Sequence, residues 1–163
     1  MENGVKLSIP DCAFDPDTRI VVAAIGTLGD KLEKRCRQLA SQGKIYDATL
    51  LDAVGTAMLD DLTGKISKRI VQEGKQAGLL QGYRFAPGLE GYPLEQQQVL
   101  FQLADNGAVN VFLNSSAIMT PAKSISFFLM LTKTGLKKNK GTHKCSSCKL
   151  TGCQFRMTEK DKL

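Results

Sequence analysis

Between Asp47 and Glu73 the apolar residues Leu51, Val54, Met58, Leu62, Ile66 and Ile70 recur at three- and four-residue steps, which predicts one long amphipathic helix. A face of that length has to lie on another layer, and the rest of the chain must supply it. Gly55 falls inside this helix at a cost of about 1 kcal/mol relative to Ala, which points to a close packing contact or a ligand approaching the backbone. Gly74 and Gly78 read as its end. Just upstream, Leu28, Leu32, Cys36 and Leu39 keep helical spacing from Leu28 to Gln42, with Gly43 as the stop.

The segments around these helices read differently. The β-branched run "TRIVVAAIGT", Thr18 to Thr27, predicts a buried strand broken by Gly26 and Gly29. "PLEQQQVLFQLA" opens on Pro93 and predicts a third helix, because proline at the first helical turn loses only an orphan N–H; "DNG" at 105–107 closes it. Then come a strand from Ala108 to Leu113, a polar loop over Asn114 to Ser116, and a long strand from Lys123 to Thr132. Strands and helices do not alternate regularly, and no glycine-rich phosphate loop opens a helix, which argues against a doubly wound nucleotide fold. The expected class is α+β, a mainly antiparallel sheet flanked by three helices. With 163 residues, 42% hydrophobic, the chain suffices for one core, built mostly from aliphatic side chains since tryptophan is absent.

The net charge of +6 belongs to one end. Residues 132–163 hold nine Lys or Arg against two acids, while residues 1–131 hold 13 against 14. The expected organisation is therefore a near-neutral domain over 1–134 and a basic, cysteine-containing tail over 135–163, with no uniform basic face for a nucleic acid. No stretch of eighteen apolar residues occurs, and the first residues lack the order of a signal peptide. A cytoplasmic protein with no membrane partner is expected.

Two places carry candidate chemistry. In "GYRFAPGLEGYPLEQQ", residues 82–97, Arg84 stands at a strand end before a Pro87-Gly88 turn, and Gly88 lets a ligand approach bare backbone. A guanidinium grips a carboxylate in bidentate fashion, so Arg84 beside free main-chain groups suits a small zwitterion or a nucleoside edge. An ordinary turn with a surface arginine is the plainer reading. The second place is "HKCSSCKLTGCQFR", in which Cys145, Cys148 and Cys153 follow a Cys-x2-Cys-x4-Cys spacing suited to Zn or an iron–sulfur cluster. His143, Cys12, Cys36 or a partner protein could complete the set, and a tail of free thiols is the alternative.

The order of "GYRFAPG", a Pro-led helix and then "FLNSSAIMTPAKSIS" resembles the reactivation domain of cobalamin-dependent methionine synthase, where an Arg-x-x-Pro-Gly-Tyr segment precedes such a helix. The segment from Thr18 to Leu62 is similar to stand-alone versions of that domain, so the likeness covers most of residues 18–131. In that family the domain binds S-adenosylmethionine, the methyl donor that rescues oxidised cobalamin with an electron from a flavodoxin-type reductant. The resemblance implies that Arg84, Ala86 and Gly88 lie on the adenosylmethionine-binding segment and that Asp60 faces the ligand's ammonium group. It further implies a separate cobalamin-dependent methyltransferase as partner and a flavodoxin or ferredoxin as electron donor, and it strengthens the iron–sulfur option for the tail. Leu89 stands where the family has tyrosine and Ser115 where it has glutamate. A docking module for a corrinoid protein, without a small-molecule site, is the other reading.

Overall fold

The computed structural model describes residues 7–10, 13–89, 91–104 and 109–135. The expected metal ligands Cys145, Cys148 and Cys153, with His143, Cys12 and the "DNG" turn, lie outside them. The elements run β1 (Thr18–Thr27), α1 (Lys31–Ser41), α2 (Ile45–Gln76), β2 (Leu80–Phe85), α3 (Gln96–Leu103), β3 (Phe112–Leu113), β4 (Met119–Thr120) and β5 (Ser124–Thr132). The expected α+β class holds: three helices accompany an antiparallel sheet of order β1-β5-β2, and β3 and β4 form a separate two-stranded hairpin.

The last strand in sequence is the central one. β5 reads "SISFFLMLT" and is buried along almost its whole length, because it is paired on both edges and covered on both faces. Alternate side chains separate the two cores. Phe127 and Leu129, with Ala24, face α2 through Ile66, Ile70 and Val71. Phe128 and Met130 face the other way, into a cluster with Phe85, Tyr92, Leu100 and Ala13. There Phe85 stacks on Phe128 and meets Tyr92 edge-on, both with ring centroids 5.2 Å apart, a geometry favoured by the ring quadrupoles. The sheet is thus sandwiched between the α1–α2 pair and a layer made of α3 and the loop before it.

Several boundaries differ from expectation for identifiable reasons. α1 starts at Lys31 rather than Leu28 because Leu28 N–H still donates to Lys123 C=O, continuing the ladder, while Thr27 Oγ1 accepts from Gly29 N–H. α2 extends to Gln76, so Gly74 does not end it. Gly74 is a buried helical residue whose added Cβ would lie 2.8 Å from Leu131. Gly78 at φ +69° is the stop, with Leu79 N–H donating to Gly74 C=O and Gly78 N–H to Lys75 C=O, a Schellman closure. Gly43 at φ +76° ends α1 in the same way. Gly55 is a packing glycine, since a Cβ there would lie 2.8 Å from Leu32 of α1. Pro93 falls one turn before α3, where Gln96 and Gln97 N–H groups make tight bonds to Pro93 and Leu94 C=O. The strand expected over Ala108–Leu113 shrinks to Phe112–Leu113, because Asn110 adopts φ +48°. Finally, Val54 and Met58 do not join the buried face of α2. They are exposed, whereas Leu51, Leu62, Ile66 and Ile70 are half-buried.

Candidate functional site

β2 is an edge strand whose last residues, Arg84 and Phe85, pair with Leu129 and Phe128. This register puts Arg84 on the α2 side of the sheet and Phe85 in the opposite core. The Arg84 guanidinium stands 5.5 Å from the centroid of the Phe127 ring, and its Nη1 donates to Ser67 Oγ on α2 at 3.3 Å. Among the described residues no carboxylate forms an ion pair with it. A guanidinium has five N–H donors, so most of this group's capacity faces solvent, held in place by a ring and a hydroxyl.

The backbone then turns sharply. Leu89 N–H donates to Ala86 C=O at 3.1 Å, Pro87 occupies the second position of this turn and Gly88 the third at φ +81°, the sequence and geometry of a type II turn. The turn is pinned on its far side, where Gly88 N–H donates to Tyr92 C=O at 2.9 Å and Tyr92 N–H to Leu89 C=O at 2.8 Å. Tyr92 anchors the assembly. Its ring is in the core and its hydroxyl donates to Ser8 C=O at 2.6 Å. Burial raises the Tyr92 hydroxyl above the ordinary tyrosine pKa. Three main-chain groups of the turn remain without a partner among the described residues: the Ala86 N–H, the Pro87 C=O and the Gly88 C=O.

Asp60 lies on α2, exposed and without an ion pair among the described residues. It precedes Ser67 by seven residues, which puts both on one side of the helix about 10 Å apart. Gly64 lies between them, and an added Cβ there would meet nothing within 4 Å. The structure therefore brings Arg84, Ala86 and Gly88 together at one edge of the sheet, with Asp60 further along the neighbouring helix and not in contact with Arg84. Ser67 and Phe127, which hold the guanidinium, were not singled out from sequence. Ser67 carries a signal nonetheless, as a buried hydroxyl in step with the helix's apolar face.

Leu89 and Ser115 sit on turns. Leu89 is 63% exposed at the tip of the type II turn. Ser115 is exposed in the hairpin between β3 and β4, whose turn is closed by Asn114 Oδ1 accepting from the N–H groups of Ser116 and Ile118 at 2.9 and 3.0 Å. Among the described residues no group of three His, Cys, Asp or Glu side chains could hold a metal, and no helix is long and apolar enough to cross a membrane. No family model matches the chain, and no curated protein matches it significantly.

Proposed function

We propose that this protein is a stand-alone relative of the methionine synthase reactivation domain, an accessory that docks on a separate corrinoid methyltransferase and holds adenosylmethionine for it. The observation that carries the reading is the turn at Pro87 and Gly88, which among the described residues leaves the Ala86 N–H donor and the Pro87 and Gly88 carbonyl acceptors free beside a guanidinium with no counter-ion. A donor and an acceptor of that kind match the N7 and N6 edge of adenine. Arg84 has N–H groups to spare for a carboxylate, and Asp60 supplies the opposite charge for an ammonium. The stretch of about 10 Å between the Asp60 and Ser67 positions suits a ligand as extended as adenosylmethionine better than a free amino acid.

Cobalamin, carried by the partner, would supply the methyl-accepting metal, with an electron from a flavodoxin- or ferredoxin-type reductant. This chain's own part is to bind and orient the methyl donor. A rigid turn suits that role, because its main-chain groups are ordered before the ligand arrives and the entropic cost of binding falls. The same reading puts the protein in the cytoplasm and assigns Cys145, Cys148 and Cys153 to Zn or an iron–sulfur cluster.

One observation favours a second reading. Leu89, in place of tyrosine, puts an exposed aliphatic side chain at the tip of the turn, next to the exposed Leu94. That apolar tip fits a protein surface, as in a docking module without a ligand. Calorimetric titration with adenosylmethionine and with S-adenosylhomocysteine separates the two. Heat that saturates for the wild type and is lost in Arg84→Ala supports the ligand site. No heat at millimolar ligand, or equal heat from both proteins, leaves the docking module.

A further inference from the structure

The first half of α2 carries an apolar row on its solvent side. Tyr46, Leu50, Val54 and Met58, spaced four residues apart, are 78, 54, 47 and 51% exposed, and Ile45 beside them is 60% exposed. α1 packs elsewhere on the helix, through Leu32 against Gly55, and the sheet packs against Ile66, Ile70 and Val71. Next to the row of large side chains runs a parallel row of small exposed ones, Thr49, Ala53 and Ala57. In the polar second half of the same helix the outer positions are Asp61, Lys65 and Lys68. The apolar row is therefore confined to one segment.

We propose that this face of α2 is the interface of a homodimer, in which two copies cross about a two-fold axis between Leu50 and Val54. A ridge of large residues at i, i+4, i+8 and i+12 packs into the groove beside another such ridge, at a crossing angle of about −50°. Here ridge and groove lie side by side on one helix. Each copy thus presents what the other lacks, which is the condition for an isologous contact. The antiparallel sense places Leu50 against Val54 and Tyr46 toward Met58, and it carries Lys44 of one copy toward Asp61 of the other, a carboxylate that pairs on its own helix with the exposed Lys65. The charges at the two ends are complementary in this sense, whereas a parallel pairing would set like against like.

The area agrees with a second copy. The exposed side chains of this segment amount to roughly 600 Å² per copy, at the upper end of the apolar patches that monomers leave uncovered. Two copies together bury on the order of 1,000 Å², the lower bound for a specific interface, so a reversible dimer is expected. The inference does not rest on the ligand-site reading, since Arg84 and Ser67 face the sheet side of α2.

Sedimentation of the full-length protein under reducing conditions, from about 1 to 100 μM, tests it. The wild type should shift from monomer to dimer over this range, and Val54→Asp should raise the dissociation constant at least about a hundredfold while its thermal melt stays that of the wild type. Leu50→Lys, at a site more exposed than Val54, gives the same reading if Val54→Asp folds poorly. A wild type that stays monomeric throughout overturns the proposal and leaves the row for a different protein. A folded Val54→Asp or Leu50→Lys that still dimerises overturns it too, and moves the contact to another surface such as the outer edge of β1.

Discussion

Gly88 shows how one residue links conformation to a site. At φ +81° its backbone lies where side chains are disfavoured, and an added Cβ would stand 3.2 Å from Leu94 Cδ1. Gly88→Val should therefore cost about 1–3 kcal/mol of stability. If the turn is a site, binding of adenosylmethionine or of the corrinoid partner falls by more than the folded fraction does; a variant that melts early yet binds normally while folded makes the turn scaffold only. Tyr92 answers a different question, that of what holds the turn down. Its buried hydroxyl donates to Ser8 C=O, so Tyr92→Phe should cost about 1 kcal/mol in denaturant titrations. Because burial raises the folded-state pKa of this hydroxyl, its stabilising contribution is complete below the unfolded tyrosine value near 10 and is lost as pH rises beyond it. The phenylalanine variant should show a shallower alkaline decline, and an unchanged decline would mean that Tyr92 does not govern it. The arginine and the Pro-Gly turn were legible in sequence because turn chemistry is local. The partners of Arg84 were not, since Ser67 and Phe127 reach it only through the packing of α2 and β5.

Glycines separate element from element as well. Gly82 in β2 is buried, and a Cβ there would lie 2.7 Å from Thr132 Cγ2 and 3.1 Å from the Met130 backbone oxygen. The oxygen belongs to the central strand and has no room to move, so Gly82→Ala should destabilise by about 1–3 kcal/mol. Gly64 in α2 meets open space, and Gly64→Ala should stabilise by about 1 kcal/mol through helix propensity. Melts of the two variants in parallel check both, and the same sign for both would contradict the packing described. The helices were readable from periodicity and the long strands from their β-branched and apolar runs, as β1 and the near-coincident β5 show, although Gly26 lies inside β1, paired with Ile125, and does not break it. Two kinds of feature were not. A three-and-four spacing gives a face but not what covers it, which is why Val54 and Met58 were placed in the core and are found exposed. The sequence around Ala108–Leu113 has strand-like residues, yet the left-handed Asn110 and the side-chain turn at Asn114 leave only a two-residue arm.

At the scale of the molecule, the fold sets an edge strand, a rigid turn and one helix side around Arg84, while the basic tail follows the end of the central strand. Protein prepared anaerobically should carry Zn or iron, lost in Cys145→Ser/Cys148→Ser, by elemental analysis; equally low metal in both would mean that the thiols are free. Whether this protein supports reactivation is read most directly from the visible spectrum of a corrinoid methyltransferase that lacks a reactivation domain of its own, held with its cobalamin in the inactive cob(II) state. Adenosylmethionine and a one-electron reductant such as reduced flavodoxin are added with and without this protein. The wild type should speed the return of the cobalamin to its methylated form and Arg84→Ala should not; a rate indifferent to the protein, or restored equally by Arg84→Ala, would contradict a reactivating role.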